Sequence, residues 1–81
     1  MITELLLTFP NTKTAISAER TLLAAGLTAT VQPMPEALSK QCGIVLRLPV
    51  DELEAGKTAL AVVGIEVSAI YRMQDGDLQP L

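Results

Sequence analysis

One thiol dominates the chemistry that this sequence can offer. Cys42 is the only cysteine among 81 residues, and Gly43 follows it directly. A thiolate is a nucleophile, and its reactivity depends on surroundings that lower the pKa of the thiol. Histidine is absent, which excludes a Ser-His or Cys-His pair and a zinc site built from cysteine and histidine within the chain. We therefore expect no cofactor and no metal, and we expect any chemistry to centre on Cys42.

Charge and aromatic content argue against a nucleic-acid partner. The net charge is −3, and Phe9 and Tyr71 are the only aromatic rings, too few for a base-stacking platform. The basic residues are scattered along the chain instead of forming a patch: Lys13, Arg20, Lys40, Arg47, Lys57 and Arg72.

The sequence also indicates a cytoplasmic protein. The longest apolar stretch, from Ala59 to Ile65, is far shorter than the roughly 20 residues that cross a bilayer. The start of the chain lacks the basic residues of a signal peptide. A single cysteine cannot form an internal disulfide, so a reducing compartment fits best.

Hydrophobic periodicity predicts four strands and two helices in the order βαββαβ. The apolar positions favour strands at residues 4–9, 27–32, 44–48 and 65–73, and helices at 13–25 and 51–63. Asn11 or Thr12 is the expected N-cap of the first helix, and Gly26 its C-cap residue. Asp51 with Glu54 three residues later predicts a capping box for the second helix, and Gly64 is expected to end it.

This order predicts an α+β fold of the ferredoxin-like type. Right-handed crossovers would place two helices on one face of a four-stranded antiparallel sheet with strand order 4-1-3-2. Residues 1–73 would form a single domain, and residues 74–81, which show no periodicity, a loose C-terminal tail. The sheet face without helices would carry Leu6, Val45 and Ile70. These three form either a partly apolar patch for a homodimer or an ordinary mixed surface.

In that topology the loop between the second and third strands and the start of the first helix lie at the same end of the sheet. Cys42 would stand at the end of this loop, near the helix N-terminus at Asn11 and Thr12. The helix dipole and the charges of Lys13 and Lys40 would then favour a thiolate. Gly43 would leave the sulfur accessible. The alternative is that Cys42 is a packed apolar residue, the commoner role of a lone cysteine, and that both lysines are solvated.

Several short motifs resemble a family of small bacterial proteins described as selenium/sulfur carrier-like. The resemblance covers nearly the whole chain to Tyr71. It rests on Cys42-Gly43 at the start of a strand that continues to Arg47, on Pro33-Met34-Pro35 before it, on Leu23 to Gly26, and on the opening Leu7-Thr8-Phe9-Pro10-Asn11-Thr12 before a helix with Ala15 and Glu19. One departure is Glu36, where the family commonly has a basic residue. An acid there would raise the pKa of a nearby thiol, an effect that Lys40 could offset.

The resemblance implies that Cys42 carries sulfur or selenium as a persulfide or selenosulfide. Gly43 would leave room for the cargo. A donor enzyme and an acceptor protein would be the partners, and the chain would be a carrier instead of a catalyst. The competing hypothesis is a regulatory or assembly domain of the ACT type. That fold shares the βαββαβ order, and Cys42 would then be incidental.

Overall fold

The computed structural model describes residues 3–33, 44–74 and 77–81. Within these residues, two helices and five strands follow one another, with a 3-10 turn at Val50–Glu52 before the second helix. In chain order the elements are β1 (Glu4–Thr8), α1 (Thr12–Ala24), β2 (Thr30–Pro33), β3 (Ile44–Pro49), α2 (Leu53–Val62), β4 (Ala69–Gln74) and β5 (Asp77–Pro80). Among these described residues no helix has the length and apolar character needed to cross a membrane.

The strands form one sheet in the order β2-β3-β1-β4-β5, and every neighbouring pair is antiparallel. The prediction of an α+β fold with an antiparallel sheet and two helices is confirmed. The prediction of four strands is wrong, because residues 77–80, expected to lie in a loose tail, form β5. In the β4–β5 pair Met73 lies opposite Leu78, and both side chains pack on a buried apolar cluster. This burial stabilises β5. The pattern of the last eight residues could not predict the strand, because its stability depends on contact with β4.

Both helices pack against the same apolar core on one face of the sheet. Leu5 and Leu7 of β1 and Leu46 and Leu48 of β3 alternate toward this core, as the two-residue period of a strand requires. The helices contribute small or aliphatic residues that are fully or almost fully buried: Ala15, Ala18 and Leu22 from α1, and Leu60 from α2. A Cβ built on Gly56 of α2 would lie 3.1 Å from Leu48 Cδ2. Glycine at this position therefore allows α2 to approach the sheet closely.

A second, smaller core lies on the opposite face of the sheet. Leu6 and Val45 have no exposed surface, and Tyr71, Met73 and Leu78 pack against them. The prediction of an exposed apolar patch formed by Leu6, Val45 and Ile70 is therefore wrong in two ways. Leu6 and Val45 are covered within the single chain, and Ile70 packs against the helix-side core instead. Self-association itself stays a prediction.

Strand register explains the position of Ile70. Leu7 pairs with Ile70 and Leu6 with Tyr71, so Ile70 shares the helix side with Leu7. Residues directly opposite in neighbouring strands project from the same face, and a shift of one residue exchanges the faces. Tyr71 therefore takes the place that was expected for Ile70.

Glycines end both helices as predicted. Gly26 has φ +84°, and Leu27 N–H donates to Leu22 C=O at 3.0 Å. Gly64 has φ +76°, and Ile65 N–H donates to Leu60 C=O at 2.9 Å. These bonds belong to Schellman motifs, in which glycine adopts the left-handed conformation without strain.

The predicted capping box at Asp51 and Glu54 does not form. Asp51 lies inside the 3-10 turn, and α2 has Glu52 as its N-cap with no side-chain capping bond. An N-cap residue needs an extended backbone, and here the chain already turns helical at Val50. The Glu52 carboxylate instead accepts hydrogen bonds from Thr28.

Candidate functional site

One terminus of each of four strands lies at the same end of the sheet, which is called the sheet edge below. Pro33, the last residue of β2, pairs with Ile44, the first of β3. Thr8, the last residue of β1, pairs with Ala69, the first of β4. The segment between β2 and β3 therefore leaves the sheet and returns to it at the edge where β1 ends and α1 follows. Among the predicted site residues, Cys42, Gly43 and Lys40 belong to this segment and lie outside the described residues, as does Glu36.

Asn11 has a structural role at the start of α1. Its backbone is extended, with φ −158°, and its Oδ1 accepts a hydrogen bond from the Thr14 backbone N–H at 2.8 Å. The Asn11 carbonyl accepts from Ala15 N–H at 3.1 Å. Asn11 is thus the N-cap, one of the two residues predicted for that position. Thr12 is the first residue of the helix and is exposed.

Lys13 lines an open cleft of about 480 Å³ between the first half of α1 and the α2–β4 connection. The connection contributes Glu66, a residue that the sequence pattern did not indicate because residues 65–73 were expected to form one strand. In the structure β4 begins only at Ala69, so Glu66 lies in the loop that precedes it. The complete lining is Pro10, Lys13, Thr14, Ser17, Gly64, Ile65 and Glu66.

A second cleft of about 330 Å³ adjoins the first and is more apolar in its lining. Ile65 and Glu66 line both clefts, so the two share one wall. The remaining residues of the second cleft come from α2 and from the chain that enters β4: Lys57, Leu60, Ala61, Val67 and Ile70.

The charges in the first cleft are not neutralised by a described partner. Within residues 3–33, 44–74 and 77–81, the one ion pair joins Arg47 Nε to Glu4 Oε1 at 3.2 Å. Both of those side chains are partly exposed, and neither lines the two clefts described above. Lys13 and Glu66, also exposed, therefore offer a positive and a negative group to a ligand.

The described lining is suited to binding. It supplies an ammonium group from Lys13, a carboxylate from Glu66 and the hydroxyl groups of Thr14 and Ser17. These groups can donate or accept hydrogen bonds to a polar ligand. The thiol of Cys42, on which the predicted chemistry centres, belongs to the segment between Pro33 and Ile44, which begins and ends at this same edge.

Comparison with known proteins identifies the family. A family model described as "Putative Se/S carrier protein-like" matches residues 4–72, a span that includes Cys42 and every element from β1 into β4. No curated protein and no solved structure gives a significant match. The family match covers most of the chain, and it confirms the resemblance found in the sequence. This chain therefore belongs to the selenium/sulfur carrier protein-like family.

Proposed function

We propose that this chain carries a sulfur or selenium atom on Cys42 and passes it to an acceptor protein. The observation that carries the proposal is the family match over residues 4–72, a span that contains the only cysteine of the chain. The family description names sulfur and selenium as the cargo. Cys42 is the only side chain in this sequence that can form a persulfide or a selenosulfide with it.

The proposed loading step is a thiol–disulfide-type exchange. The Cys42 thiolate attacks the outer sulfur of a donor persulfide, R–S–SH, and the donor leaves as R–S⁻ while Cys42–S–SH forms. With R–S–SeH as donor, the same attack at selenium gives Cys42–S–SeH. An acceptor thiolate then attacks the outer atom and releases the Cys42 thiolate. No external oxidant or reductant enters either exchange, because the zero-valent atom moves intact.

The absence of a second cysteine favours a carrier over a redox enzyme. A resolving thiol in the same chain would attack the inner sulfur, form an internal disulfide and expel the cargo. This chain has no such thiol. A reducing compartment would also protect a lone thiol from oxidation, and we propose the cytoplasm as the location.

Residues near the shared sheet edge would assist Cys42. Pro33 and Ile44 are paired at this edge, and Lys13 lines a cleft on the helix that begins there. We infer that Lys13, together with Lys40, attracts the anionic forms of the thiol and of its cargo. Gly43, which has no side chain, would leave the sulfur open to donor and acceptor.

We also infer that the fold is a ferredoxin-like plait with one added strand. The order of β4, β1, β3 and β2 in the sheet is 4-1-3-2, and both helices pack on one core. The fifth strand extends the sheet beyond β4, on the side away from the edge strand β2.

Intact mass spectrometry tests the carrier role directly. The reduced chain is incubated with a cysteine desulfurase and cysteine, and separately with selenocysteine as the donor. We expect a mass gain of one sulfur or one selenium atom, removed by a thiol reductant. Cys42→Ala is the control and should show no gain.

Two results would contradict the proposal. One is the absence of a mass gain with both donors while an alkylating reagent also fails to modify Cys42 in the folded chain, which indicates a packed structural thiol. The other is an equal mass gain in Cys42→Ala, which places the cargo elsewhere. Either result would favour the regulatory alternative, in which Cys42 is incidental.

A further inference from the structure

The two adjoining clefts combine opposite charges with an apolar compartment. Lys13 and Glu66 line the first cleft, and neither is paired with a described residue. The second cleft presents mostly aliphatic side chains, among them Val67 and Ile70, with Lys57 as its other charged residue, and it shares Ile65 and Glu66 with the first. Small-molecule sites typically have this character, with a few polar groups that orient the ligand beside an apolar surface that accommodates its body.

We propose that these clefts bind a free α-amino acid with a short, uncharged side chain. The ligand carboxylate would interact with the Lys13 ammonium, and the ligand ammonium with the Glu66 carboxylate. The hydroxyl groups of Thr14 and Ser17 line the same cleft and can hydrogen-bond to either ligand group. The ligand side chain would enter the apolar cleft past Ile65. This proposal is independent of the carrier role, since it uses no atom of Cys42.

The paired charges select this ligand class over simpler ions. A plain carboxylate would gain from Lys13 but meet repulsion from Glu66, and a plain amine would meet the reverse. A zwitterion interacts favourably with both groups, whereas a plain carboxylate or a plain amine meets one group of its own charge. Because both charged side chains are exposed, each contributes modestly, and we expect a dissociation constant near the millimolar range.

The test is an NMR titration of the full-length chain labelled with ¹⁵N. The probe is L-2-aminobutyrate, which has the shape of cysteine without its thiol, and the chain carries Cys42→Ser so that no thiol chemistry interferes. Butyrate and propylamine are the control ligands, since each lacks one of the two charged groups of the probe. We expect saturable shifts at Lys13, Ser17 and Glu66 with the amino acid, and much weaker shifts with either control.

Matched substitutions show whether the two charges form the site. Lys13→Gln and Glu66→Gln should each weaken binding about 3- to 10-fold. Arg20→Gln on α1 and Glu54→Gln on α2 change the net charge in the same way outside the clefts and should leave binding unchanged.

Three outcomes would overturn the proposal. They are the absence of a saturable shift up to about 10 mM probe, equal binding of butyrate or propylamine, and equal weakening by the Arg20 and Glu54 variants. Loading of Cys42 is measured separately by mass, so failure of amino-acid binding and failure of the carrier role remain distinguishable.

Discussion

Glu52 joins the connection after α1 to the turn before α2 through Thr28. The Thr28 backbone N–H donates to Glu52 Oε1 at 2.8 Å, and the Thr28 hydroxyl lies 3.0 Å from both carboxylate oxygens. The two residues are 24 positions apart in the chain. This carboxylate therefore holds together two connections that leave the sheet at the end opposite the Pro33–Ile44 pair.

Removal of this carboxylate should lower stability measurably. We expect Glu52→Ala to reduce the free energy of unfolding by about 1 kcal/mol, because it removes hydrogen bonds to a charged acceptor at a solvated site. Urea denaturation followed by circular dichroism measures the change. Glu54→Ala, at an exposed position of the adjacent helix, is the control and should change it by less than about 0.5 kcal/mol. Equal effects of the two variants would refute the role of the Thr28 contact.

The small core on the sheet face opposite α1 and α2 should contribute strongly to stability. Leu6→Ala is expected to reduce the free energy of unfolding by about 2–5 kcal/mol, because it leaves a cavity beside Val45 and Tyr71. Val62→Ala removes two methyl groups from a side chain that is 81% exposed and should have little effect. Denaturant midpoints of the two variants provide the comparison. A Leu6→Ala cost below about 1 kcal/mol would mean that this face is not a packed core.

The left-handed conformation at Gly64 should make this position sensitive to substitution. An added Cβ would meet no heavy atom within 4 Å, so any penalty comes from the backbone alone. We expect Gly64→Ala to reduce the free energy of unfolding by about 1–2 kcal/mol. Gly64→Asn should cost less, because asparagine tolerates this conformation. Thermal denaturation of both variants would test the ranking, and an equal or larger cost for asparagine would contradict it.

Lys13 should influence the reactivity of Cys42 if both act at the same sheet edge. We expect Lys13→Gln to slow alkylation of Cys42 by iodoacetamide about 2- to 5-fold, because a nearby positive charge favours the thiolate. The rate is measured at constant pH and low salt, where screening of exposed charges is weakest. Arg20→Gln, which removes a positive charge from the same helix, should leave the rate unchanged. Equal slowing by both variants would indicate a general charge effect instead of proximity.

Features that depend on local chemistry could be predicted from the amino-acid sequence alone. The absence of histidine excludes a Ser-His or Cys-His pair, and Cys42 is the only thiol, whatever fold the chain adopts. Asn11 and Gly26 could be assigned to the ends of α1 because capping acts through hydrogen bonds within four or five residues. The order of helices and strands as far as β4 followed from periodicity for the same local reason.

Strand register and helix packing set which face each β4 side chain occupies and which groups meet in the clefts. Ile70, Tyr71 and Met73 are all apolar, so alternation in this segment could not indicate which residue faces the helices. The pairing of Leu6 with Tyr71 and of Leu7 with Ile70 places Ile70 on the side of α1 and α2 and Tyr71 on the opposite face. In the same way, Lys13 and Glu66 line one cleft only because α1 begins and the α2–β4 connection returns at the same sheet edge. Local propensity does not encode contacts between residues so distant in sequence, because they depend on strand register and on the packing of both helices against one sheet.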